Sequence, residues 1–210
     1  MVGAGALREA LNAPDVEGVL SIGRRASGVE HPKLRELILP DLFDSTAVEN
    51  ELVGCDACIW AVGVSSVGLD EAAYARVTEE LTLAWARALL RLNPGMSFCY
   101  CSAAGAGGRA MWARVRQRVE GELQSMPFGH AGAVRPAMIR PGPGIRSRTW
   151  GYQVGMALLK PLFLLTPLLM SAVPSLVTTS EILGRAMLRV TQGRADRFIL
   201  ESADINRVGR

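Results

Sequence analysis

Apolar and polar positions along this chain fall into alternating helix-period and strand-period blocks. Residues 2–11 set Ala6, Leu7, Ala10 and Leu11 on one helical face, and Asn12-Ala13-Pro14-Asp15 breaks the pattern. Residues 16–23 form a β-branched, apolar run closed by Gly23-Arg24-Arg25, and residues 34–39 form a second such run, closed by Pro40-Asp41. Residues 57–62 are apolar throughout, the pattern of a strand covered on both faces of a parallel sheet. Tyr74, Val77, Leu81, Ala84, Trp85, Ala88, Leu89 and Leu92 then recur at three or four, predicting a helix over 71–92 that Asn93-Pro94-Gly95 stops. A strand over 97–101, a small-residue loop, a helix over 109–126 and a strand over 131–139 follow. Thr178-Thr179-Ser180-Glu181 reads as a capping box opening a last helix over 182–190. This alternation predicts an α/β fold with a doubly wound, Rossmann-like parallel sheet.

Composition narrows the chemistry. With 210 residues, 49% hydrophobic and 20% charged, the chain can bury a core without disulfides or metals. A net charge of +3, from 23 basic and 20 acidic residues, is too small to imply nucleic acid as a partner. Lys33 and Lys160 are the only lysines, and His31 and His130 the only histidines, so lysine catalysis and His-rich metal centres have few candidates. The opening residues carry no basic run leading into an apolar core, so a reducing cytoplasmic setting is expected. Cys55 and Cys58 form a Cys-x-x-Cys that suits a redox pair or half a zinc site, with Cys99 and Cys101 as the other half. Against this, Cys99 and Cys101 share a face of an apolar strand and read as small buried hydrophobes, so no metal is assigned.

Two features suit a nucleotide. Gly3 and Gly5 open a helix, where free backbone N–H groups can meet a pyrophosphate, although an ordinary surface helix would look the same. Arg24 and Arg25 end the first strand, the position that faces the adenosine ribose in nucleotide-binding sheets. Two arginines there, in place of an acid, favour a 2′-phosphate and hence NADP; a solvated arginine pair is the plainer alternative.

In order, Gly23-Arg24-Arg25, Asp41-Leu42, Gly54-Cys55-Asp56-Ala57, Gly63-Val64-Ser65-Ser66, Tyr100-Cys101-Ser102 and Val134-Arg135-Pro136 resemble the short-chain dehydrogenase/reductase superfamily. The similarity is to its atypical, extended branch of NAD-dependent epimerase/dehydratase-like and NmrA-like NAD(P)-binding proteins. The resemblance implies NADP or NAD as cofactor. It implies Gly3 and Gly5 near the pyrophosphate, Arg24 and Arg25 on the 2′-phosphate, Asp41 and Leu42 flanking the adenine, and Gly63 against the nicotinamide ribose. Ser102 matches the serine that hydrogen-bonds the substrate oxygen. The departures are as informative. The family's acid/base pair, Tyr-x-x-x-Lys, occurs nowhere in this chain; Trp112 and Arg116 stand at its two positions. Indole is no acid/base at neutral pH, whereas Arg116 retains the capacity to bind ribose or phosphate. Ala137 replaces the glycine that usually follows Arg-Pro. Met1-Val2-Gly3 matches only the end of the family's glycine loop, so the chain reads as lacking the family's central first strand.

Pro141-Gly142-Pro143-Gly144 marks a boundary between a dinucleotide-binding part over 1–142 and a helical, substrate-side C-terminal lobe over 143–210. Within the lobe, residues 156–173 carry a single charge, Lys160, and are interrupted by Pro161 and Pro167. Two short packed helices fit this stretch, and membrane contact is the competing reading. Three functions stay open: an oxidoreductase or epimerase acting on an unknown small molecule, a non-catalytic dinucleotide-binding sensor, and a membrane-peripheral protein. Nothing in the sequence specifies oligomeric state.

Overall fold

A computed structural model describes residues 1–142 and 176–210. Its strands are β1 (Val19–Gly23), β2 (Leu34–Ile38), β3 (Ala57–Trp60), β4 (Ser97–Cys101), β5 (Ala131–Arg135), β6 (Met138–Arg140), β7 (Val177–Thr179) and β8 (Ile199–Glu201). The helices are α1 (Val2–Asn12), α2 (Glu49–Leu52), α3 (Glu71–Ala75), α4 (Leu81–Leu92), α5 (Met111–Ser125), α6 (Ser180–Thr191) and α7 (Ser202–Val208). A π turn, Arg76–Glu80, joins α3 to α4, so the helix expected over 71–92 is continuous but locally widened. The strand expected over 131–139 divides at Pro136, which has no N–H to donate, and the Ala137 N–H leaves the ladder for Ser202 Oγ at 2.9 Å. Thr179 Oγ1 accepts from the Ile182 N–H at 3.3 Å and caps α6. Residues 156–173 lie outside the described residues.

Every described strand pair is parallel. β3-β4-β5-β8 form a four-stranded sheet in that order, and β1-β2 and β6-β7 form two-stranded ones. The period-2 pattern sorts side chains to two faces. Trp60, Phe98, Tyr100 and Ala133 join a core with Leu81, Leu83, Trp85 and Leu89 of α4 and Val119 and Leu123 of α5. Ile59, Cys99, Val134 and Leu200 join the opposite core, with Ala6 of α1, Leu183, Ala186, Met187 and Val190 of α6, and Ile205 and Val208 of α7. The result is a three-layer α/β sandwich. The C-terminal residues re-enter this body, since β8 extends the main sheet beside β5 in a stretch read from sequence as helical.

The sheet is interrupted between β1 and β3. Among the described residues β1 pairs only with β2, and β3 only with β4. Yet Leu20, Ile22 and Leu37 pack against the same core as Cys58 and Trp60, so the two sheets flank one interior. On the other face α1 touches β1 and shares a core with Ile59. The Trp85 indole N–H donates to the Leu42 carbonyl just beyond β2 at 2.6 Å and its ring lies 5.7 Å from that of Trp60 at the end of β3. Both sheets thus bring their carboxyl ends to the same side. Among the described residues, a gap flanked by two unpaired edges therefore lies between β1 and β3. The edges are correspondingly wet: all five residues of β1 are only partly buried, and Ala57 of β3 is exposed although its run reads as buried on both faces.

α1 is held by a close crossing with α6. A Cβ on Gly5 would stand 2.5 Å from the Ser180 carbonyl oxygen, and one on Gly184 would stand 2.7 Å from that of Gly5. Backbone cannot yield as a flexible side chain does, so Gly184→Ala should destabilise the protein by about 1–3 kcal/mol despite alanine's better helix propensity. Urea unfolding measures this; an unchanged midpoint would mean that the helices separate freely. A second tie crosses the sheet. Arg135 of β5 grips the buried Glu120 of α5 with Nε at 2.9 Å and Nη2 at 2.5 Å, while its Nη1 reaches Glu201 at 2.9 Å. The bidentate carboxylate holds the guanidinium protonated, above its ordinary value.

Candidate functional site

Strand order rises in opposite directions from the gap, β1 then β2 on one side and β3 then β4 on the other. In open α/β sheets the crevice outside the carboxyl ends at such a reversal is where ligands bind. The sequence-predicted positions gather along that edge. Arg24 and Arg25 directly follow β1, and both are exposed without a hydrogen bond or ion pair among the described residues. Asp41 and Leu42 follow β2; Asp41 Oδ1 caps its own turn by accepting from the Phe43 N–H at 2.9 Å, and Leu42 is partly buried under Trp85. Gly3, exposed at the start of α1, stands beside the end of β3, where an added Cβ would meet only Ala61 Cβ at 3.7 Å. Gly63, also exposed, follows β3. Gly5 is the exception: its missing side chain makes room for α6, and it is buried in that crossing.

Ser102 follows β4, and Trp112 and Arg116 lie one turn apart on α5. Arg116 projects from α5 back over the strand end. Its Nε donates to Tyr74 Oη at 2.9 Å, and its Nη1 donates to the Cys101 carbonyl at 3.1 Å and to Tyr100 Oη at 3.4 Å. Nη2 has no partner among the described residues and lies 3.7 Å from the point where Gly63 would carry a Cβ. Ser102 is buried and its Oγ has no hydrogen-bond partner among the described residues. Trp112, one turn before Arg116, covers Gly105, whose φ of +87° only glycine adopts readily. The Tyr74 and Tyr100 side chains are each 1% exposed, and burial pushes the Tyr100 phenol up, so it stays protonated. The cysteines are free; burial pushes Cys58 up to about 12 and Cys101 up to about 11, and raises Cys55 and Cys99 as well, so none is a ready thiolate.

Tyr74 and Tyr100 are the site residues that sequence reading misses. Tyr74 scores as one more apolar position on a helix stripe, and Tyr100 as one residue of a strand. The available signal is an arginine at a position that must point toward a strand end, together with two tyrosines whose hydroxyls require partners once buried. Among the described residues no helix is long and apolar enough to cross a membrane, and no three His, Cys, Asp or Glu side chains are grouped to hold a metal ion.

No family model matches the chain, and no curated protein matches it. Solved structures do. A dTDP-glucose 4,6-dehydratase from Streptomyces venezuelae, solved with NAD bound, superposes with a TM-score of 0.67 at 13% identity over 99% of this chain and 76% of its own. A short-chain dehydrogenase/reductase family oxidoreductase from Burkholderia thailandensis gives 0.67 at 14% identity, over 97% of this chain and 88% of that one. A UDP-N-acetylglucosamine 4-epimerase from Methanobrevibacter ruminantium, solved with UDP-N-acetylmuramic acid, gives 0.65 at 14%, over 95% and 71%. The chain has the Rossmann-like fold of short-chain dehydrogenases and nucleotide-sugar epimerases and dehydratases.

Proposed function

We propose that this protein binds NADP(H) across the carboxyl edge of its sheet and belongs to the oxidoreductase/epimerase type, with its proton-transfer pair replaced. The observation that carries this reading is the pair Arg24 and Arg25, exposed and without counter-ions among the described residues beside the strand-order reversal. The residues present fit the dinucleotide. Arg24 and Arg25 would hold the 2′-phosphate, the α1 start at Gly3 the pyrophosphate, Asp41 and Leu42 the adenine, and Gly63 and Arg116 the nicotinamide side. Gly5, turned into the α6 crossing, supports the site only by letting α1 pack closely. When bound, a nicotinamide dinucleotide supplies hydride-transfer chemistry. This chain's residues would bind and orient it, and Ser102 Oγ would hydrogen-bond a substrate oxygen.

The non-catalytic sensor is the second reading. Trp112 favours it, because at this place it offers bulk and no exchangeable acid. Both readings require dinucleotide binding, so cofactor choice is tested first. NADPH should bind about 10- to 100-fold more tightly than NADH, the worth of charge-assisted hydrogen bonds to a phosphate. Arg24→Ala with Arg25→Ala should abolish that difference in calorimetric titrations. Equal affinities for the two cofactors in the unaltered protein would refute the assignment of these arginines.

A further inference from the structure

Among the described residues the positive charge of Arg116 has no counter-ion. Its acceptors, two phenols and a peptide carbonyl, are all neutral. No carboxylate lies within ion-pair distance of it among the described residues, and residues 143–175 contain no Asp or Glu at all. Glu120, one turn further along α5, has both oxygens committed to Arg135. Other arginines here are answered by acids: the mostly buried Arg135 by Glu120, and the exposed Arg35 by Glu51, Arg91 by Glu49 and Arg118 by Glu79. A partly buried guanidinium left uncompensated is costly unless a ligand completes it.

Beside it is a second unmet demand. Ser102 is 4% exposed, its hydroxyl has no partner among the described residues, and it follows Cys101, the residue whose carbonyl anchors Arg116 Nη1. Gly63 leaves the approach to Nη2 without a side chain. Nη2 and the enclosed Ser102 hydroxyl are thus both donors without an acceptor among the described residues, near the end of β4 and beside a fixed cation.

We propose that Arg116 Nη2 and Ser102 Oγ form an oxyanion site, and that the small molecule bound at this edge carries a carboxylate or phosphate seated on these two groups. Two oxygens of one anion satisfy both donors and neutralise the charge; a neutral hydroxyl or amide would leave the guanidinium uncompensated. Tyr74 and Tyr100 are positioning residues: Tyr74 occupies Nε, and Tyr100 with the Cys101 carbonyl occupies Nη1, which leaves Nη2 beside Gly63. The proposal rests on the reading of this edge as the ligand-binding one, but not on dinucleotide binding.

The test uses the full chain, with acetate, pyruvate and inorganic phosphate as probes and acetamide as the neutral control. Binding is followed by calorimetry and by the Arg116 Nε–H resonance in nitrogen-15 spectra. At least one oxyanion should bind and shift that resonance, and acetamide should do neither. Ser102→Ala should weaken binding about 10-fold, and Arg116→Gln about 10- to 100-fold. Tyr74→Phe keeps the test open if Arg116→Gln does not fold; by freeing the Nε hydrogen bond it should lower oxyanion affinity without removing it. Binding of carboxylates but not phosphate, or the reverse, identifies which source the site takes. The proposal is overturned if no probe binds, if acetamide binds as well as acetate, or if the variants bind oxyanions with unchanged affinity. NADPH titrated in parallel separates the two readings. Oxyanion binding without NADPH binding retains this site and removes the dinucleotide; NADPH binding with no oxyanion binding does the opposite.

Discussion

A version of the protein carrying an apolar five-residue strand and a short glycine turn engineered ahead of Met1 should unfold about 5–15 °C higher than the 210-residue chain. The expectation follows from the gap between β1 and β3. A parallel strand there would pair with both edges, bury alternate side chains against Leu20, Ile22 and Cys58 on one face and Ala6 and Ile59 on the other, and lead directly into α1. Burying two or three aliphatic side chains is worth about 1.5–3 kcal/mol each, and each new hydrogen bond about 1 kcal/mol. Ordering five residues costs about 1–2 kcal/mol apiece; with about five new bonds, mid-range values of the three terms leave a net gain of about 3 kcal/mol. Hydrogen exchange supplies the local check. In the 210-residue chain, the gap-facing amides of β1 and β3 should exchange fast while those of β4 and β5 stay protected; in the extended version both sets should be slow. Uniform protection of all four strands without the extension would mean that the gap is already filled, and the added strand would then bring no gain.

The gap also marks how far the sequence could be read. Alternating strand and helix blocks were legible because each strand has a periodicity that separates its faces, and the two cores recovered that separation: Phe98 and Tyr100 went one way, Cys99 and Cys101 the other. The carboxyl-edge positions were legible for a related reason, since in a parallel sheet they simply follow the strands. Tertiary partners were not. Nothing local in Arg135 announces Glu120 and Glu201. Nothing local in Gly5 announces the Ser180 carbonyl that its missing side chain accommodates. β8 was missed because three residues of a short edge strand carry too little pattern to stand out from the helices around them. Arg116 shows both sides: motif order located it, but its neutral cradle of phenols needed coordinates.

Carbonyl reduction by NADPH should be about 10²- to 10⁴-fold slower than by a dehydrogenase with a positioned acid/base, and Trp112→Tyr should recover a substantial part of that loss. Proton transfer needs a group that both reaches the substrate and exchanges a proton near neutral pH. Trp112 has an indole N–H that does not ionise there. Tyr74 and Tyr100 have the right functional group, but both are 1% exposed and face Arg116, and burial raises the Tyr100 phenol further from neutrality. Ser102 can polarise an oxygen by hydrogen bonding, yet its own pKa is far too high to supply the proton. A tyrosine at position 112 would stand one turn before Arg116 on α5, where the guanidinium charge lowers a phenol toward neutrality. Arg116 is kept in this variant because lysine could not serve Tyr74, Tyr100 and the Cys101 carbonyl with the same planar fork. Single-turnover oxidation of NADPH with a panel of aldehydes and ketones measures the rates, at NADPH concentrations shown by calorimetry to saturate the protein. Unaltered protein turning over at about 10 s⁻¹ or more would place the proton donor elsewhere. Equal, low rates in both forms, with saturating NADPH, would instead favour the non-catalytic sensor.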